Sequence, residues 1–494
     1  MQVGPTDDTV AAPAASGNLA RRIARGTAWT AAGTWTSRLF GLLVVIVLAR
    51  HLDARAFGVL GVATLAANVA LQLNDGGFVD ALVWWPGRTR EAAQTTLFGC
   101  IVLGLAAGGA LAAAAPAIAH VFSAPDAAPL LRVYAVVVLL DATAGAYLGA
   151  LTRELAFRKR FVPEVVPALC GSAVTVALAV AGAGVWSLVI GDLVRSVCQL
   201  GAGFLVVGRQ MAPRWHRDVA AKLWRYGRAA LAGSVLEFAV QNVDYALVGL
   251  LLGPVALGFY TIAFRVAILP FLLVTYVIAG VAFPLYARLV AEGAAVQGVL
   301  RVTMRACCSL VFVMGAGLAA LAPFLEVLGH RWQAAVPVAR LLGVYICLRS
   351  AAFMLSMLLR VVHPRANALL RGVWLALLVG LIATVGRGGI TAVAAIQVAV
   401  ATVMLGAFLV VVRQLTGVPV APLLADIVRV AIAALIASAA TTGLQRAVAM
   451  LSDPTSWGAL AVLGLTFCAV YGAALALIPP GVANDVRRLR TATA

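Results

Sequence analysis

Charge is what this 494-residue chain has least of: 11% of its residues are Asp, Glu, Lys or Arg, where an average soluble domain carries about 25%. With 63% hydrophobic residues and a mean hydropathy of +1.00, too little polar surface remains to coat a water-soluble fold of this length. A soluble globular protein is therefore excluded. Histidine is scarce as well, and His51, His120, His216, His330 and His363 all fall in loops or near the ends of apolar blocks, which argues against a histidine proton relay inside a membrane. The seven cysteines form no CxxC pair and no His/Cys spacing suited to zinc, so no metal centre is expected and they read as small core residues. A phosphate-cradling glycine loop, an HExxH helix and a GxSxG turn are all missing. The chain reads as neither an ATPase nor an enzyme, and no cofactor is expected.

What the chain does have is a succession of apolar blocks of about 20 residues, the length that crosses a bilayer as a helix. They are rich in Gly, Ala and Val and lack the period-two alternation of a membrane barrel. Breaking them at charges, Pro and Gly predicts an all-α, polytopic membrane bundle of 14 spans. Residues 1–22 form a polar cytoplasmic tail without a cleavable signal pattern. Residues 23–207 form a first lobe of six helices, 208–227 a connector, 228–412 a second six-helix lobe, and 413–494 two further helices and a cytoplasmic tail. The two lobes resemble each other at an offset of 200 residues. Leu52 to Gly58 reads LDARAFG and Leu252 to Gly258 reads LGPVALG, each on the turn between the first and second helices of its lobe. Both lobes start on the same side of the membrane, as in transporters built from parallel repeats.

The formal net charge is +18, but in so apolar a chain the cations belong to loops on one side of a membrane, and no nucleic-acid partner is expected. Arg21, Arg22 and Arg25, then Arg153 to Arg160, then Arg209 to Arg228, all fall in alternate loops, which places both termini in the cytoplasm. Within the connector, Trp215, Val219, Leu223 and Tyr226 share a helical stripe among Arg214, Arg217, Lys222 and Arg225. That pattern predicts either an amphipathic helix on the inner leaflet, drawn to membrane lipid, or a solvated basic loop.

Ionisable side chains inside spans are costly and face a cavity or a partner. Here they are Arg38, Asp141, Asp192, Arg195, Glu237, Asp244, Arg265 and Arg349. Counted from the turn at Gly253, Asp244 and Arg265 lie at roughly 14 and 18 Å depth, close enough to pair. Asp192 and Arg195, three apart, also suit a pair. Arg38 has no partner on its own helix. A polar site at mid-membrane, where an inward Arg38 offers its planar donor fork to a phosphate, is one reading, and a snorkelling or ion-paired Arg38 is the other. Glu237, Asp244 and Asp141 are the candidates for balancing that charge or coupling an ion.

The run from Asn242 to Arg265, NVDYALVGLLLGPVALGFYTIAFR, the following Pro270, and Phe283 to Leu289, FPLYARL, resemble the polysaccharide-biosynthesis proteins of the multidrug/oligosaccharidyl-lipid/polysaccharide (MOP) exporter superfamily, whose fold is shared with the MATE exporters. Arg153 to Arg158, RELAFR, looks like that family's basic inner loop, and Asp53 stands where the family's turn has glycine. The resemblance implies a Wzx-type flippase for O-antigen or exopolysaccharide repeat units, which moves an undecaprenyl-pyrophosphate-linked glycan across the bacterial cytoplasmic membrane by alternating access, with Arg38 and Arg265 as the cationic cavity residues that contact the pyrophosphate. It implies polysaccharide polymerase and export machinery as partners. A drug or small-metabolite exporter of the same superfamily is the alternative. A membrane glycan polymerase or ligase fits less well, because the outer loops are short. Reporter fusions after Gly208 and after Arg413 are expected to read cytoplasmic, and an external signal at either position would overturn the division into two lobes.

Overall fold

In the computed structural model, residues 40–86, 89–154, 156–208, 211–449 and 457–477 are described. They are helical almost throughout, as their apolar, glycine-tolerant sequence requires in a medium where every backbone polar group must find its partner within the helix. The helices are α1 (Phe40–His51), α2 (Ala54–Leu73), α3 (Phe78–Val83), α4 (Thr89–Val121), α5 (Ala127–Arg153), α6 (Phe157–Val180) and α7 (Trp186–Val207). They continue with α8 (Arg217–Ala267), α9 (Tyr276–Ala291), α10 (Gln297–Ala320), α11 (Val336–Val362) and α12 (Pro364–Val385). The last are α13 (Ile390–Thr416), α14 (Val420–Ala449) and α15 (Trp457–Leu477).

Among the described residues 12 helical stretches are long and apolar enough to cross a membrane. One of them, spanning 217–291, folds back at Gly253, whose φ of 80° and ψ of 178° break α8 in front of Pro254. Glycine reaches that φ without steric cost, and proline fixes the start of the next helix. Counting the stretch as two spans and adding the shorter apolar helix α1 gives a total consistent with the 14 expected.

By their contacts α2–α7 pack as one group and α8–α13 as another, called lobes below, with α8 also lying along α2 and with α14 and α15 packed on α10. Asp426 of α14 holds that attachment. Its carboxylate accepts from Arg301 Nε at 2.7 Å and from Arg305 Nη2 at 2.9 Å. Asp53 caps α2, its carboxylate accepting from the Ala56 amide at 2.8 Å, so an N-cap stands where a glycine turn would serve.

The lobes meet at two seams. At the end away from the basic loops, a methyl group on Gly58 would overlap the Pro254 carbonyl, and one on Gly258 would overlap the Ala54 carbonyl. The contact is reciprocal under the offset of 200. Trp332, fully buried, closes this seam, donating to the Ala49 carbonyl at 2.9 Å and standing edge-on to Phe57 and Phe259. Arg331 reaches the Arg50 carbonyl beside it.

At the basic end, Gly77 and Gly227 approach so closely that a side chain on either would overlap the other's backbone. Gly76 and Gly77 both carry positive φ, and the Asp75 carboxylate accepts from the Gly77 amide at 3.0 Å. Next to that turn, burial and the charge of Asp75 raise the Asp80 carboxyl above the usual carboxylate range.

The connector differs from the expected separate helix. From Arg217 onward it is the continuous beginning of α8, without a break before Gly253, so residues 217–252 make a rod of roughly 54 Å, longer than a bilayer core. One glycine, at 227, is too weak a signal to end a helix, and its lack of a side chain is used instead to seat Gly77. Val219 and Leu223 of the predicted stripe pack inward, while Trp215 and Tyr226 are exposed.

Gly258→Leu is expected to lower the unfolding free energy by about 1–3 kcal/mol, the cost of forcing a side chain into a filled contact. Gly280→Leu, at a glycine with open space around it, should stay near wild type in the same detergent unfolding series.

Candidate functional site

Between the seams lies a cavity of about 580 Å³ lined from both lobes. The first lobe contributes Thr64 and Asn68 of α2, Tyr134 of α5, and Asp192 and Arg195 of α7. The second contributes Gln241, Asn242, Tyr245 and Arg265 of α8, and Arg349 of α11. Its lining includes three guanidinium groups and one carboxylate.

The three cations differ in how they are held. Arg195 is satisfied within its own lobe. It donates to Asp141 Oδ2 at 2.8 Å and to Gln199 Oε1 at 2.9 Å, and lies 3.8 Å from Asp192 Oδ1. Tyr134 in turn donates to Asp192 Oδ2 at 2.9 Å. The expected pair three residues apart exists, then, but Asp141 of α5 makes the shorter bond and ties α5 to α7.

Arg265 is half-buried and has no ion-pair or hydrogen-bond partner among the described residues. It lines the cavity and also a second chamber of about 480 Å³ bounded by α1, α6 and α7, in which Glu164, Ser172 and Gln199 supply polar groups. The two chambers share Leu188, Asp192, Arg195 and Arg265.

Arg349, 6% exposed, meets no carboxylate among the described residues. Its guanidinium lies 4.6 Å from the centre of the Phe271 ring, and its Nη1 donates to the Tyr345 hydroxyl at 3.3 Å. An aromatic face steadies a cation without neutralising it. Phe271 opens a turn of π-helix (Phe271–Thr275) directly after Pro270, where a proline that cannot donate loosens the helical ladder.

Asp244 and Arg265 do not pair. Asp244 is fully buried and accepts from the Tyr260 hydroxyl at 2.6 Å and from Gln397 Nε2 of α13 at 2.8 Å. Their side chains point in different directions. Tyr260 and Arg265, five residues apart on one helix, point roughly 140° from each other. A carboxylate facing Tyr260 is thereby turned from the cavity that Arg265 faces.

Glu237 also has cationic partners of its own. It forms ion pairs with Arg371 and with Arg360, the latter at 3.5 Å, and accepts from Gln241 Nε2 at 2.7 Å. Gln241 lines the cavity, so Glu237 reaches it at second hand. Arg38 lies outside the described residues. Sequence reasoning counted Arg349 among the charges in spans but did not place it in the site, and it missed Arg371 as the partner of Glu237. A signal for Arg371 existed, since it falls inside the apolar block that follows Pro364. No group of three or more His, Cys, Asp or Glu side chains suited to a metal ion occurs among the described residues.

Residues 47–337 match the model of a family described as polysaccharide biosynthesis protein. The chain is 26% identical over 330 residues to the succinoglycan biosynthesis transport protein ExoT of Rhizobium meliloti, covering 66% of each. It is 27% identical over 347 residues to the lipopolysaccharide biosynthesis protein WzxC of Escherichia coli, covering 67% of this chain and 68% of that one. The matches thus span about two thirds of these relatives. Among solved structures, the fold is similar to the lipid II flippase MurJ in an inward closed conformation, with a TM-score of 0.71 at 12% identity over 90% of this chain and 96% of that one. An inward-facing MATE-family multidrug transporter of the MOP superfamily matches with a TM-score of 0.58 at 16% identity, over 77% of this chain and 96% of that one.

Asp244→Ala is expected to cost about 1–3 kcal/mol of stability for each buried donor left unmatched. Asp244→Asn should cost less, since an amide oxygen still accepts from Tyr260. Thermal unfolding in detergent checks both, and equal losses would remove the assigned bonds.

Proposed function

The chain belongs to the polysaccharide biosynthesis protein family, and from that premise we propose that it is a flippase carrying a polyprenyl-pyrophosphate-linked oligosaccharide across the cytoplasmic membrane by alternating access. The observation that carries this reading is the cavity between the lobes with two guanidinium groups, Arg265 and Arg349, that form no ion pair with a described carboxylate, Asp192 and Asp244 acting on them only at longer range. A pyrophosphate supplies what they lack: several acceptor oxygens and negative charge, matched to planar donor forks. Arg195 stands at the same wall with its charge spoken for by Asp141 and Asp192. The hydroxyl and amide groups of Thr64, Asn68, Gln241 and Asn242 suit a sugar chain better than an apolar drug.

On this reading the basic end faces the cytoplasm, and the undecaprenyl carrier, with its glycan added inside, enters from there. Carboxylates would couple an ion only by competing with pyrophosphate for the same cations. Asp141 and Asp192 are placed for that through Arg195. Glu237 bears on the cavity through Gln241, and Asp244 is left to hold α8 against α13.

Arg265→Ala and Arg349→Ala should reach the membrane in normal amount and lose transport, with roughly 1.5–3 kcal/mol of substrate binding removed by each. The check is complementation of a deletion strain with analysis of lipid-linked oligosaccharide by membrane face. Precursor held on the cytoplasmic face supports the reading. Full complementation by both variants overturns the assignment of the two cations, and unpolymerised units outside the cell would indicate a polymerase instead.

A further inference from the structure

A third pocket, of about 540 Å³, lies at the basic end and shares no lining residue with the cavity between the lobes. Its walls are the rings of Phe78 on α3, Phe98 on α4, and Trp215 and Trp224 beside and on the first turns of α8. Phe78 stands 6.5 Å from Trp215 and 6.2 Å from Trp224, and Phe98 stands 5.5 Å from Trp215. Gly99, Ala220 and Ala221 leave the space between the rings.

The lining contains one charged side chain, Arg217. It is exposed and has no ion-pair partner among the described residues. Around it, Arg214, Lys222, Arg225 and Arg228 outnumber the one acid of the segment, Asp218. Phe98 and Val102 on the α4 side are themselves exposed, so the slot opens along a membrane-facing helix.

A carbon-walled slot with a free guanidinium among further cations is complementary to an amphiphile with one hydrocarbon chain and an anionic head. We propose that it binds an anionic glycerophospholipid of the cytoplasmic leaflet, with an acyl chain between the rings and the phosphate at Arg217. The site does not depend on what the central cavity carries. Its position gives it a consequence for the transport cycle. One wall belongs to the first lobe and the other to the helix that opens the second, and both stand beside the Gly77 and Gly227 contact. A ligand that fits only while these walls are together raises the population in which the basic-end seam is closed.

Native mass spectrometry of the full-length protein, titrated with phosphatidylglycerol and separately with phosphatidylcholine, tests the site. Phosphatidylglycerol should remain bound after phosphatidylcholine is lost. Arg217→Glu should weaken it about tenfold, the worth of one charged contact. Ala221→Leu, at an exposed position on the slot wall, should abolish it, and the rise in unfolding temperature that phosphatidylglycerol gives the wild type should vanish with it. Equal binding of both lipids, unchanged binding in both variants, or displacement of the phospholipid by a polyprenyl phosphate would overturn the proposal.

Discussion

Where two backbones come together without room for a side chain, the helices that carry them can cross only one way. Here Gly58 lies on the Pro254 carbonyl and Gly258 on the Ala54 carbonyl. In a membrane, where lipid is as apolar as the helix surface, such close approach is a main source of packing energy. The reciprocal contact fixes the turn of one lobe against the turn of the other, and with it the directions of the two arms of α8 that leave Gly253. One arm turns Asp244 inward to α13, the other turns Arg265 toward the first lobe. The glycines thereby set where the charges point, although they carry none.

The charges themselves sort by lobe. Arg195 with Asp141 and Asp192 closes one network, and Glu237 with Arg371 and Arg360 closes another. Each pairing makes an otherwise costly group tolerable within the membrane, at the expense of its availability. Arg265 and Arg349 are left at the boundary between the networks, which is also the boundary between the lobes.

Much of this could be read from the sequence, because its strongest signals are one-dimensional. Span length, basic loops and the repeat of LDARAFG as LGPVALG need no knowledge of neighbours, and they led to 14 spans and to the turn that seals the lobes. Relative depth is legible in principle as well, since rise per residue is constant. Azimuth is not. Whether a charge faces the cavity or an adjacent helix depends on which face packs, and a transmembrane helix apolar on all sides gives little periodicity to show it. The facing of Asp244 is hidden for that reason, and Arg349, visible as a charge in a span, is not placed in the site because its partner is a ring rather than a carboxylate. The continuity of α8 through Gly227 escaped for a related reason: a glycine marks both a helix end and a close crossing, and the sequence does not say which.

Two cations without a direct carboxylate partner, lying between two seams, also bear on how binding and motion are joined. While either seam is open, water solvates Arg265 and Arg349 and their charge costs little. Closing both seams removes that water, and the cost of the bare charges rises steeply as the surroundings lose polarity. An anionic headgroup between them offsets that cost in the closed state more than in the open one, and a ligand shifts an equilibrium by that difference in affinity and no more. On the proposed reading, pyrophosphate is therefore both the group that is recognised and the group that permits the lobes to close around it. The glycan is not required to contribute to that step. On that reading one chamber would accept sugars of different composition while closing on the same headgroup.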